Sequence, residues 1–334
     1  MSGETDRNHL KVMTRAAIFH HHRGLRQVEI AEMLGVSQAR VSRLLSAAVD
    51  HGILRTMVKT PAGLDSQTED ELEAALGLSQ VHIVATDENP AEVLRNLGRA
   101  LASFVEVLPL DKLVIGFTSW SRPLREFARS LAPMQKTSAA RIVELLGDIG
   151  APSYQHQATM ATESFAQKVG AEAMFLRISG VVSSPVVRQA LLQHDAHASR
   201  ALDEMNHLDI AMVGIGGCQS SNPGEEADDF FSPAQFDEVK ALGAVGQVNL
   251  RFIDSGGQPV QSRLDELVIG VTLDQLRRAP LKVGVAAGEE KIKAIEAAAK
   301  GGWIDVLFTD SLTAMRLLER DRVSHDDESA RSRP

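Results

Sequence analysis

The sequence has one cysteine in 334 residues, Cys218. A single thiol excludes an intramolecular disulfide and any zinc site built from several cysteines, and a reducing, cytoplasmic compartment is expected. No apolar run approaches the roughly 18 residues of a membrane helix, so neither a span nor a membrane partner is expected. The opening residues MSGETDRNHLK hold no apolar core of signal-peptide length, and no secretion signal is read there. The G-x-G-x-x-G fingerprint is missing, which speaks against a nucleotide-dependent oxidoreductase, and no cofactor is called for.

What is present is ordinary globular composition, 44% apolar and 24% charged, in a chain long enough for two domains. The net charge of −9 is unevenly spread: residues 1–60 carry nine Lys and Arg against five Asp and Glu, and the remainder is strongly acidic. A small basic module on an acidic body is the asymmetry expected when only one end meets phosphate.

That basic module has a legible pattern. Val12, Ala16 and Phe19 share one face of a helix over 11–19, and Gly24 suits its C-terminal cap. Adjacent His20, His21 and His22 point about 100° apart on a helix, so they are read as a solvated helix end rather than as a metal site. The stretch 27–49 reads as a helix carrying Val28, Ile30, Ala31 and Leu34, a turn at Gly35, and a second helix capped by Ser37. Val36, Val41, Leu44 and Leu45 would pack the second helix on the first. Gln38, Ala39, Arg40, Ser42 and Arg43 would face outward, suited to base edges and phosphates, with Gln27 opening the first helix. A helical hairpin inside a larger domain is the plainer alternative. Residues 52–59 resemble a short strand or wing, where Arg55 and Lys59 would meet phosphate or solvent.

Pro61 and Gly63 mark a boundary, followed by a linker helix over 66–76. Apolar runs at 81–84, 113–117, 140–146, 173–176, 210–215, 248–253, 283–285 and 306–309 then alternate with helical stretches, as in a mostly parallel sheet with crossover helices. Ligands in such sheets sit at the carboxyl ends of strands. The loop Thr118-Ser119-Trp120-Ser121-Arg122 offers three hydroxyls and a guanidinium after a buried strand. It is either a site for a phosphate or polyhydroxylated ligand or a polar turn with a hydroxyl cap. The glycines of Gly214-Ile215-Gly216-Gly217 permit close approach of a ligand or simply a tight turn. Lys291, after Ala287-Gly288, would bind an anion or serve as helix surface.

In this order, the helix-turn-helix at 27–49, the segments 116–124, 143–147, 213–217, 243–246 and 251–254, and the pieces at 286–295, 301–303 and 309–310 resemble the SorC family of sugar-responsive bacterial transcription regulators, with a DeoR-like effector domain. The resemblance runs over about residues 10–320. It implies an α/β chain: an N-terminal (winged) helix-turn-helix over 1–60, a linker over 61–76, a Rossmann-like, sugar-phosphate-isomerase-like effector domain over 77–320, and a disordered polar tail over 321–334. It implies operator DNA as one partner and a sugar, polyol or phosphorylated sugar as the other, bound without turnover. It also implies a homo-oligomer, dimer or tetramer, that docks paired recognition helices on a palindromic operator. Carried over by motif, Thr118, Ser119, Trp120, Ser121 and Arg122 would hold the anionic or hydroxylated end of the ligand. Gly216 and Gly217 would border the pocket, and Asp254 and Lys291 would close it or bind the far end. The Ser-Trp-Ser form at 119–121 resembles a branch associated with polyol and sugar use. The chain departs from the usual pattern at Pro123, Gln247, Glu266 and Ala287. The competing class is a sugar-phosphate isomerase or deaminase on the same fold. Glu144, Asp148 and Asp254 are its available carboxylates, but no acid–base pair stands out.

Overall fold

A computed structural model describes residues 2–21, 23–51, 53–54, 66–134, 138–219 and 230–331, without the side chains of 2–9, 50 and 323–331. The chain divides into two compact units, Met1–Pro61 and Ala62–Pro334.

The first unit holds α1 (Ser2–His21), α2 (Gln27–Leu34) and α3 (Gln38–Asp50). Its core takes Met13, Ala16 and Phe19 from α1, Ile30 and Ala31 from α2, and Val41, Leu44, Leu45 and Ala48 from α3, one apolar stripe per helix. α1 begins well before the expected residue 11, since no Gly or Pro interrupts residues 4–10. Gly24 (φ +66°) follows its end, where His20 Nδ1 lies 2.9 Å from the Leu25 carbonyl. Glu29 accepts from the Arg26 backbone N–H at 2.7 Å and so caps α2. Gly35 turns the chain at φ +63°, where an L side chain is strained, and Ser37 Oγ accepts from the Arg40 N–H at 3.3 Å to start α3. Val28, expected on the packed face, is half exposed. The expected wing falls on Gly52 and 55–59, outside the described residues.

The second unit begins with α4 (Ser66–Leu76), β1 (Gln80–Val84), α5 (Pro90–Val105), β2 (Val114–Phe117), α6 (Arg122–Ser130), β3 (Arg141–Glu144), α7 (Pro152–Lys168) and β4 (Glu172–Met174). It continues with α8 (Pro185–His194), α9 (Ala196–Glu204), β5 (Ile210–Gly217), α10 (Pro233–Ala241), β6 (Ala244–Val248) and β7 (Arg251–Asp254). α11 (Leu273–Arg278), β8 (Leu281–Val285), α12 (Ile292–Lys300), β9 (Val306–Asp310) and α13 (Ser311–Arg331) complete it. The main sheet is parallel, in the order β1-β9-β8-β5-β2-β3-β4, and β6 adds antiparallel to the end of β5 and pairs with β7. Strand residues alternate between two cores: Ala211, Val213 and Ile215 join α4, α9, α11, α12 and α13 on one face, while Ile210 and Met212 join α5, α6 and α7 on the other.

Two expectations need correction. The apolar run 248–253 is not one strand, because Asn249 (φ +50°) and Leu250 (φ +60°) turn it into the β6–β7 hairpin. Two consecutive left-handed residues match a type I′ turn, for which asparagine is well suited at the first position. The stretch 321–334 is expected as a disordered tail, but the α13 backbone runs on to Arg331, since no Gly or Pro follows Ser311 until Pro334; 332–334 lie outside the described residues.

Gly35→Ala forces an L side chain into the left-handed region with no clash to relieve it. It should destabilise the helix pair by about 1 kcal/mol. Hydrogen exchange of residues 27–49 in the full chain should accelerate accordingly, with exchange of the sheet unchanged.

Candidate functional site

On α3, successive residues rotate by about 100°, so burying Val41, Leu44, Leu45 and Ala48 turns Gln38, Ala39, Arg40, Ser42 and Arg43 to solvent. All five are exposed, as is Ser37, and Gln27 is half-buried at the start of α2. Arg43 Nε donates to the Ala39 carbonyl at 3.3 Å, which lays its guanidinium along the helix surface. The face carries two guanidinium groups among short polar side chains, the chemistry that reads base edges and phosphates.

In the second unit the topology selects one place. The chain winds outward from β2 through β3 to β4, then returns to lay β5 on the other side of β2 and winds the opposite way through β8 and β9. The crevice at the carboxyl ends of β2 and β5 is therefore the switch point of the sheet, where open α/β folds bind ligands. The loop 118–121 stands there, tied to β5 by the Thr118 N–H donating to Met212 O at 3.1 Å. Thr118, Ser119 and Trp120 are buried, Ser121 is half-buried against Gly214, and Arg122 is exposed at the head of α6. Pro123, a departure from the family pattern, lies in the first turn of α6, where a missing N–H costs nothing.

Trp120 does not line an open surface. Its ring stacks on Tyr154 at 5.3 Å, and its carbonyl accepts from Arg125 Nη1 at 3.2 Å and from Tyr154 OH at 3.1 Å. The Arg125 guanidinium also covers the Tyr154 ring at 4.2 Å. These contacts hold the loop backbone from below. Neither Arg125 nor Tyr154 was singled out in the sequence, because each acts through tertiary stacking rather than a local motif.

The β6–β7 hairpin, paired to the end of β5, reaches this loop. Asn249 is buried, and its Oδ1 accepts from Thr118 Oγ1 at 2.7 Å. Ser119 Oγ and Asn249 Nδ2 are both buried without a hydrogen-bond partner among the described residues. Gly216 has a different role from the expected one. A Cβ there would run into the Gln247 amide, so its space holds a protein side chain, and Gln247 Oε1 in turn accepts from Leu250 N–H at 2.8 Å. Gly217 lies against the Glu290 carbonyl, which brings the short turn Glu289–Lys291 and Lys291 to the end of β5. Asp254 is not brought to these residues. Its Oδ1 accepts from the Gly256 and Gln258 N–H groups, and the turn it closes packs at Gly257 against Gly301 and Trp303, past the carboxyl end of α12. Lys291 stands at the other end of that helix, about 15 Å away at 1.5 Å per residue.

Next to the crevice, Glu144 ends β3 in register with Phe117. The carboxylate is buried and accepts from Thr162 Oγ1 (2.9 Å), Leu176 N–H (3.1 Å) and Arg177 Nη2 (3.3 Å), while Arg177 Nη1 reaches Asp148 at 2.7 Å. Burial raises its pKa above the ordinary carboxylate value, opposed by Arg177 and by the hydrogen bonds from Thr162 and Leu176. Both carboxylate oxygens accept, three hydrogen bonds in all, so Glu144 serves to hold α7 and the 176–177 segment to β3. Burial pushes the Cys218 thiol up to about 12, so it is no nucleophile near neutrality. A groove of about 370 Å³ between α4 and α13 is lined by Glu71, Ala74, Ala75, Leu318, Asp321 and Arg322. It lies two turns along α13 from the strand ends and contains none of the candidate residues.

Residues 60–319 match the family model Sugar-bind, described as "Putative sugar-binding domain". The chain is 26% identical over 315 residues to the Sorbitol operon regulator of Klebsiella pneumoniae, covering 93% of this chain and 98% of that protein. It is 27% identical over 317 residues to the Deoxyribonucleoside regulator of Bacillus subtilis (strain 168), covering 94% and 99%. It is 29% identical over 320 residues to the Transcriptional regulator LsrR of Escherichia coli (strain K12), covering 92% and 94%. The crystal structure of the full-length Sorbitol Operon Regulator SorC from Klebsiella pneumoniae superposes with a TM-score of 0.70 at 25% identity, over 92% of this chain and 98% of that one.

Because the folded pKa of Glu144 lies above its unfolded value of 4.5, the folded state holds this proton more tightly. Its contribution to stability is then greatest below pH 4.5 and declines as pH rises through the folded pKa. Glu144→Gln lacks that decline. Denaturant titrations from pH 4.5 to 8 should show the variant gaining stability relative to wild type as pH rises; a constant difference would refute the assignment.

Proposed function

We propose that this chain, which belongs to the Sugar-bind family and to the SorC-type transcriptional regulators, binds operator DNA through α3 and senses a sugar, polyol or phosphorylated sugar at the β2–β5 crevice. The observation that carries the effector half is the buried Ser119 hydroxyl, unpartnered among the described residues, at the switch point of the sheet. A buried hydroxyl without a partner costs about 1–3 kcal/mol, and a ligand oxygen seated there recovers that cost. Thr118, Ser121 and Arg122 border the same place, and Lys291 approaches it from the α12 side as a point charge for an anionic group. Gly216 and Asp254 act indirectly, the first by admitting Gln247 and the second by closing a turn.

The DNA half rests on the Ser37-capped α3 with Arg40 and Arg43 exposed on it. Ligand binding shifts the balance between arrangements of a homo-oligomer that present paired recognition helices at operator spacing and arrangements that do not. The relatives are named as regulators, and the carboxylates next to the crevice are held in structural bonds, so the chain acts as a binder rather than an enzyme.

Arg40→Ala or Arg43→Ala should weaken operator binding about tenfold or more at fixed salt and flatten the salt dependence. Either variant should leave the thermal shift produced by effector intact. Ser119→Ala and Lys291→Ala should behave in reverse, keeping operator affinity in the unliganded protein while losing the thermal shift. The opposite assortment would mean that the two roles are misassigned. Turnover of sugar phosphates by the purified protein, surviving in a variant without residues 1–60, would replace the binder reading altogether.

A further inference from the structure

The effector crevice contains a second unpartnered polar group, on a segment outside the loop that carries the family resemblance. Asn249 is 4% exposed and sits at the tip of the β6–β7 hairpin, at φ +50°. The Thr118 hydroxyl donates to its Oδ1 at 2.7 Å, a bond between residues 131 positions apart. That bond orients the amide: with Oδ1 occupied, Nδ2 is the face left over, and it has no partner among the described residues. Ser119, next in sequence to the residue that orients Asn249, presents the other unpartnered buried atom.

The hairpin holds this geometry at some cost. The residue after the asparagine in a type I′ turn is usually glycine, whereas here Leu250 takes φ +60°, unfavourable by about 1–2 kcal/mol. Leu250 is buried among Phe231, Phe236 and Phe252, and Gln247 accepts its N–H, which together offset the strain. The turn is therefore pinned from both sides, and the Asn249 amide has little freedom to rotate to solvent for a substitute partner.

We propose that Asn249 is a specificity-determining residue of the effector site, its Nδ2–H donating to an acceptor oxygen of the ligand beside the Ser119 hydroxyl. This rests on the reading of the β2–β5 crevice as the effector site. An amide donor and a hydroxyl, both uncharged, suit a hydroxyl, carbonyl or ring oxygen of a sugar or polyol; a phosphate oxygen offers the same acceptor chemistry. Ligands without an oxygen at that position would leave the amide unpaired and be rejected, since discrimination is strongest where a buried polar group loses its partner.

The test uses the full-length protein with D-sorbitol, D-sorbitol 6-phosphate, 2-deoxyribose, 2-deoxyribose 5-phosphate and inorganic phosphate as probes, read by calorimetry and thermal shift. Asn249→Gly suits the positive φ without strain and removes the donor, and Asn249→Asp keeps the shape while replacing the donor with an acceptor. Both should weaken the probe that wild type binds best by about tenfold. Equal losses for a sugar and its phosphate put the acceptor oxygen on the sugar, and a loss confined to phosphates puts it on the phosphate. Variants that bind within twofold of wild type, while Ser119→Ala has lost binding, would leave the effector site standing and overturn the role of Asn249. A wild type that binds none of the probes would overturn both. A readout independent of variant folding is the side-chain amide resonance of Asn249 in asparagine-labelled wild type: it should move at ligand saturation, and a resonance that stays put would overturn the inference.

Discussion

The first residues of β5 pair in parallel with β2 on one side and β8 on the other, while its last three, Ile215, Gly216 and Gly217, pair antiparallel with β6. One strand thus forms the centre of the main sheet and the foundation of the hairpin above it. The crevice, the turn at Asn249 and the approach of Lys291 past Gly217 all depend on that double pairing. It is possible because the end of β5 is nearly free of side chains: Gly214 leaves room for Ser121, and Gly216 for Gln247. A methyl group at Gly216 would displace the Gln247 amide, and one at Gly214 the Ser121 side chain.

The loop after β2 is consequently held from three directions. Thr118 is bonded to β5 through its backbone and to the hairpin through its hydroxyl, and the Trp120 carbonyl is gripped by Arg125 and Tyr154 from α6 and α7. What stays unpaired is then a consequence of fixed geometry rather than of slack. Such preorganisation lowers the ordering cost of binding, so that each hydrogen bond to a ligand contributes more of its strength.

The helix-turn-helix was legible in the sequence because its determinants are local: a capping serine, a left-handed glycine and stripes spaced by three and four. The parallel sheet was legible because its strands are continuous apolar runs bounded by turn residues. The 248–253 run misled for the same reason. Val248-Asn249-Leu250-Arg251 alternates apolar and polar like a half-buried strand, and only the surrounding packing puts two non-glycine residues at positive φ. The asparagine was the one local signal of a turn there. Asp254 looked like a site residue by motif, yet its carboxylate serves its own turn. Gly216 looked like room for a ligand and is room for Gln247. Contacts between residues tens of positions apart, such as Gly214 with Ser121 or Trp120 with Tyr154, leave no trace in spacing, and most of the site is made of them.

The Thr118–Asn249 bond spans 131 residues, and β8, which pairs with the other side of β5, comes later still in the chain. Contacts of such separation form only after much loop entropy has been surrendered, which makes them late events in folding. During synthesis the helix-turn-helix emerges first and is built from short-range contacts, whereas the crevice needs β2, β5 and the β6–β7 hairpin together. A chain part-way through synthesis thus has the helices of its first unit before the Thr118–Asn249 bond and the polar groups it leaves unpaired exist.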